Sequence, residues 1–243
     1  MVYIIYIVMR IMVLIFVLGL VLILGYLAQS IGLCMVRGVN EWKHGKPEFI
    51  IAILLSGVLA WVAFLYSAYS GTPTQFKTYE ASVWFALGGL FFGVGAAFNQ
   101  GCGVSTLSKL TRGDLRMTFT IFGWLIGWSI IERCAPSMNH TERSIPSNIN
   151  IVLLIATSVA LLIWSFIGNK SRRKLWLTMM TIGLIGGFVF LYDPKWTPSG
   201  LLHKISHSVI KSDANLLPLI ESYFIFISLL IGMFVAAWRT KKF

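Results

Sequence analysis

Residues 4–27 (IIYIVMRIMVLIFVLGLVLILGYL) form an apolar run broken by a single charge, Arg10. Such a run has no stable place in water, whereas a helix needs about 17–25 mostly apolar residues to cross a bilayer. Six further segments qualify or nearly do: 48–68, 82–98, 116–132, 150–168, 174–192 and 218–238. Inside lipid every backbone N–H and C=O must be satisfied internally, which a helix does within its own segment. The sequence therefore predicts an all-α fold, a polytopic membrane helix bundle of about seven transmembrane helices. No Pro/Ser-rich linker divides the chain, so residues 1–243 read as a single integral membrane domain. Only 12% of the residues are charged, against about 25% in soluble domains, which leaves too little polar surface for a soluble fold. The first run outlasts a signal-peptide core of about 7–15 residues and no A-x-A site follows, so it reads as a retained span.

The net charge of +11 would raise the question of nucleic acid in a soluble protein. Here the cations sit in short clusters between apolar runs, with no basic stripe interleaved with aromatics, so nucleic-acid binding is not expected. Arg37, Lys43 and Lys46 share one loop; Lys109, Arg112 and Arg116 lie two loops later. Lys170, Arg172, Arg173 and Lys174 form a third cluster, and Arg239, Lys241 and Lys242 form the tail. Those alternate segments hold thirteen of the twenty Lys and Arg, and the intervening ones hold six: Lys77, Arg133, Arg143, Lys195, Lys204 and Lys211. The positive-inside rule places the C-terminus in the cytoplasm and, with seven spans, the N-terminus outside. Arg10 dissents. The expected location is the inner (plasma) membrane, with the lipid bilayer as the first partner.

The segment Leu201–Lys211 puts Leu201, Leu202, Ile205 and Val209 on one helical face, which suits a helix lying along the outer interface. His203 and His207 are spaced i, i+4, as metal ligands on a helix can be. No third ligand stands in register, so a solvated polar face is the ordinary reading, and no metal or cofactor is expected.

Three cysteines, Cys34, Cys102 and Cys134, leave an odd count without CxxC. A Cys34–Cys102 disulfide stays open, since sequence does not report the Cα separation. The cysteines do expose a duplication. One unit, about 4–68, carries Gln29-Ser30-Ile31-Gly32-Leu33-Cys34-Met35-Val36 between two spans. The other, about 82–132, carries Asn99-Gln100-Gly101-Cys102-Gly103-Val104, again between spans, with the cysteines 68 positions apart. Repeats built from a span, an interrupted segment and a span recur in transporters, with the site at the repeat interface.

The stretch 88–97 is rich in glycine, with GxxxG spacing from Gly89 to Gly93 and again from Gly123 to Gly127. Close helix packing is the ordinary reading of those residues. The next stretch is more pointed: Asn99, Gln100, Cys102, Ser105 and Thr106 gather at the end of a span, with Gly101 and Gly103 allowing a tight turn and close backbone approach. Irregular backbone at membrane depth survives only against protein or a water-filled cavity. A short re-entrant helix from Val104 would aim its N–H groups and positive dipole end at Cys102, which favours an anion. A soft sulfur-containing anion fits: the thiol offers a weak S–H donor, and the Ser105 and Thr106 hydroxyls take oxygens. Cys134, past a span and without glycine neighbours, reads as structural or incidental.

The run Phe92–Leu107 (FGVGAAFNQGCGVSTL), followed by Arg112-Gly113-Asp114-Leu115, resembles the YeeE/YedE family of sulfur-compound transporters. Gly32-Leu33-Cys34-Met35-Val36-Arg37-Gly38 is similar to that family's first cysteine motif, and the likeness covers about the first 135 residues. The resemblance implies a helical membrane protein with short helices dipping into the bilayer near Cys34 and Cys102. It also implies uptake of thiosulfate or a related ion, passed along cysteines by S–H···S contacts. Those roles fall on Cys34 and Cys102. Longer members have a further functional cysteine in their C-terminal half, whereas residues 135–243 contain none here. Asn99-Gln100 also stands where small residues are usual. A modified substrate, a homo-oligomeric path or a partner membrane subunit would each account for these departures.

The expected substrate-binding set is thus Cys34, Cys102, Gln100, Gly101, Gly103, Ser105 and Thr106, serving transport rather than catalysis. Two other classes compete. A membrane thiol oxidoreductase or sulfurtransferase would use the same thiols, but no base or cofactor motif accompanies them. A non-transporting assembly subunit would need only the glycines.

Overall fold

The structure, a computed structural model, describes residues 2–71, 77–134, 140–142, 148–211 and 216–241. Arg143 and Lys242, counted in the charge pattern above, lie outside them. The helices are α1 (Val2–Ile31), α2 (Met35–Lys43), α3 (Glu48–Leu55), α4 (Ala60–Tyr69), α5 (Val83–Phe98), α6 (Gly103–Leu110), α7 (Met117–Cys134), α8 (Asn148–Phe166), α9 (Lys170–Tyr192), α10 (Pro198–Lys211) and α11 (Ile220–Arg239). A 3-10 turn, Ser56–Leu59, joins α3 to α4. Outside the helices there is a short ribbon, β1 (Lys77–Tyr79) antiparallel to β2 (His140–Glu142), with Thr78 opposite Thr141.

Five stretches among the described residues are long and apolar enough to cross a membrane: Ile5–Lys43, Glu48–Tyr69, Val83–Leu110, Lys170–Tyr192 and Ile220–Arg239. The chain is a multi-pass membrane protein. The other two expected spans are helices as well, but Asn150–Phe166 of α8 is shorter and α7, 18 residues long, carries Glu132 and Arg133 in its last turn.

The chain divides into two compact units. In the unit of Met1–Ser30, Thr106–Pro136 and Tyr192–Phe243, α1 and α11 run side by side in the same direction. Arg10 pairs with Glu221 at 3.5 Å, Ser228 Oγ donates to the Leu18 carbonyl at 2.7 Å, and Gly232 lies against the Leu22 carbonyl. A Cβ at Gly232 would stand 2.0 Å from that oxygen, and one at Gly25 2.2 Å from the Leu229 oxygen. Small residues let two lipid-embedded backbones approach this closely. In the same unit α10 lies on α7, with Ser129 and Ser206 hydroxyls 2.7 Å apart.

In the unit of Ile31–Ser105 and Ser137–Leu191, α9 runs parallel to the α3–α4 segment. Trp176 Nε1 donates to Glu48 Oε1 at 2.9 Å, Gly183 meets the Ser56 carbonyl, and Gly187 meets Ala60 and Ala63. Phe49, Ala52, Trp176 and Met179 form the buried core, with Leu161 of α8 packed on it. Trp61 Nε1 reaches Ser158 Oγ at 2.9 Å, so α8 runs opposite to α3–α4.

Among helix glycines, close contacts with another helical segment fall on Gly25, Gly38, Gly183, Gly187 and Gly232. The expected GxxxG glycines make none: a Cβ at Gly89, Gly93, Gly123 or Gly127 would meet no described atom within 4 Å.

Candidate functional site

The site begins with two helix breaks of one design. At the end of α5 the Gly101 N–H bonds the Ala96 carbonyl at 2.9 Å and the Gln100 N–H bonds the Ala97 carbonyl at 3.1 Å. That pair of bonds is a Schellman motif, whose C′ residue takes a left-handed conformation and is usually glycine. Here the residue is Gln100, at φ 50°, and not the neighbouring Gly101. At the end of α1 the left-handed residue is Gly32, at φ 65°. Each lies two residues before a cysteine, and each cysteine stands immediately before a short helix, α2 or α6. The short helices close alike too, on left-handed Gly45 and Gly113. Gly45 bonds Trp42 while Lys46 bonds Glu41; Gly113 bonds Leu110 while Asp114 bonds Lys109. All these positions recur 68 residues apart.

The breaks bring the thiols together. Cys34 and Cys102 are each 8% exposed, and their thiols lie close enough to interact. No cysteine of the three is in a disulfide, and Cys134 is exposed. The N–H groups of Met35 and Ser105 face the Cys102 sulfur. The Arg37 N–H is turned toward the Cys34 sulfur without closing a capping bond. Ser105 donates its hydroxyl to the Cys102 carbonyl at 2.9 Å and contacts the Cys34 thiol. Its single O–H thus braces the loop in this structure rather than facing a substrate oxygen. Thr106, next along α6, is fully buried.

A cavity of about 410 Å³ opens against Cys34, lined also by Arg37, Glu41, His44, Lys46 and Gln100. It therefore receives one residue from the second cysteine segment, Gln100, beside those of the first. In the sequence Arg37 stands out as a topology charge and as part of the first cysteine motif, with no role of its own. In the structure its Nη1 donates to the Ile31 carbonyl at 2.8 Å, its Nε to Glu41 Oε1 at 2.7 Å, and its guanidinium lies 4.3 Å from the Phe49 ring centre. It ties the start of α2 to the last turn of α1. The signal that could have exposed it is the i, i+4 spacing to Glu41 beside a Gly-x-Cys break.

His203 and His207 lie elsewhere, on α10. Both meet Glu132 of α7: His203 Nε2 at 3.2 Å from Oε2, and His207 Nδ1 on Oε1. The carboxylate contacts both imidazoles, whose ring centres are 6.2 Å apart. Among the described residues no group of three ligands is arranged to hold a metal ion.

A family model described as sulphur transport matches residues 33–172, which span both cysteine segments. No curated protein and no solved structure matches the chain.

Proposed function

The chain belongs to the sulphur transport family, and we propose that it carries a small sulfur-containing anion, thiosulfate foremost, across the inner (plasma) membrane past Cys34 and Cys102. The family points to a transporter of sulfur compounds rather than an enzyme. The observation that carries the finer reading is the contact between two buried thiols delivered by matching helix breaks. Each thiol can exchange its bond to the other for a weak S–H contact with the soft terminal sulfur of thiosulfate. The N–H groups at the starts of α2 and α6 supply partial positive charge for the oxygens. Gly101 and Gly103 leave room for the ion against backbone, Ser105 holds the Cys102 loop, and Gln100 faces the approach. Thr106 completes the polar wall on α6.

The short helices α2 and α6 are the proposed re-entrant elements. The proposed orientation has the N-terminus outside and the C-terminus in the cytoplasm. Three packings support seven alternating crossings: α1 parallel to α11, α3–α4 parallel to α9, and α3–α4 opposite to α8. Arg10 no longer dissents, because Glu221 partners it at 3.5 Å near the outer end of α11.

Uptake of labelled thiosulfate into cells or vesicles tests the reading. Saturable uptake above that of vesicles without the protein is the expected result. Thiol-dependent turnover in detergent with no vectorial uptake would support the oxidoreductase instead.

A further inference from the structure

We propose that the cavity beside Cys34 is an anion-docking vestibule of the substrate path, with Arg37 as its docking cation and Glu41 as the competing counterion. This deepens the transport reading and rests on it, naming what a sulfur oxyanion meets before Cys34. The cavity touches Cys34 but not Cys102, so an ion inside it reaches Cys34 first. Its lining carries two permanent cations, Arg37 and Lys46, against one carboxylate, Glu41. A concave surface with excess positive charge concentrates anions.

Arg37 is built as a fixed station. Its Nη1 is held by the Ile31 carbonyl and its guanidinium by Phe49. Its Nη2 hydrogens have no acceptor among the described residues, and a guanidinium fork matches an oxyanion in geometry. The Arg37–Glu41 pair is 46% and 32% exposed. Pairs that exposed contribute little to stability, so an oxyanion can take the place of the carboxylate. Glu41 then repels the docked ion and shortens its stay, as conduction requires binding that is firm enough to enter and weak enough to leave. On the proposed orientation the vestibule opens toward the cytoplasm and serves release.

The test uses the full chain in nanodiscs. Cys34 is modified by an anionic (sulfonatoethyl) and a cationic (trimethylammonioethyl) methanethiosulfonate. Mass spectrometry of the Cys34 peptide separates its modification from that of Cys102 and Cys134. Glu41→Gln is expected to raise the anionic-to-cationic rate ratio at least about threefold, and Arg37→Gln and Lys46→Gln to lower it by a similar factor. Should Arg37→Gln fail to fold, the other two variants decide, since neither bonds the helix break. Ratios unchanged within about twofold, or a Cys34 that neither reagent reaches, overturn the vestibule. Thiosulfate uptake by the wild type and by Cys102→Ala is measured alongside. Cys102-dependent uptake with no shift in ratio sinks the vestibule alone, and shifted ratios with no uptake sink the transport reading alone.

Discussion

Gln100 holds a left-handed backbone immediately before Gly101, although glycine takes that conformation at lower cost. For an L-residue with a Cβ this conformation costs roughly 1–2 kcal/mol, a local expense that commonly persists where function demands the side chain. Gln100→Gly is therefore expected to keep or raise the melting temperature in detergent while lowering thiosulfate uptake. A melting temperature several degrees lower would instead assign Gln100 to holding the fold. Cys34 and Cys102 stand out as candidates in the sequence because each thiol lies in a Gly-containing gap between apolar runs. The left-handed position does not, since Gly101 sits next to it and glycine is the default there. Arg37 and Glu41 were not legible as site residues either, because only the fold turns an i, i+4 pair into the wall of a cavity.

At the scale of elements, the apolar runs predicted the long helices well, since lipid leaves the backbone little alternative. The small-residue stripes were misleading. GxxxG spacing marks Gly89 and Gly93, yet the close helix contacts fall on Gly25, Gly183 and Gly232, whose partners lie far away in sequence. Glu132 was equally out of reach as the partner of α10. That partnership sets a pH dependence. Burial, then repulsion from Lys195, holds the His203 imidazole below its ordinary value of 6.5. Lys195 Nζ lies 3.2 Å from Nδ1, so the neutral ring accepts there and donates from Nε2 to Glu132; protonation at Nδ1 breaks the first bond. The unfolded chain thus binds more protons than the folded one, and stability falls as pH drops below about 6.5. Melting curves in detergent should shift downward between pH 7.5 and 5.5, and His203→Gln should flatten the shift. Equal slopes in both proteins would remove His203 from the account.

For the whole molecule, the parallel pairing of α1 and α11 fits an odd number of crossings, and the positive-inside pattern alone proposes which end is cytoplasmic. A C-terminal reporter should accordingly be cytoplasmic and an N-terminal tag accessible from outside; both tags on one side would contradict an odd number of crossings. The membrane class and the family were both readable from one sequence, the first from hydrophobic run length and the second from the run Phe92–Leu107. The convergence of the two thiols was not, because sequence spacing carries no through-space distance. The central claim is that the ion passes those thiols. The most direct measurement compares labelled thiosulfate uptake into proteoliposomes for the wild type, Cys34→Ala and Cys102→Ala at matched protein content and melting temperature. Loss of at least about tenfold in either variant, a barrier increase near 1.4 kcal/mol, is the predicted result. Uptake at the wild-type rate in both variants would contradict it.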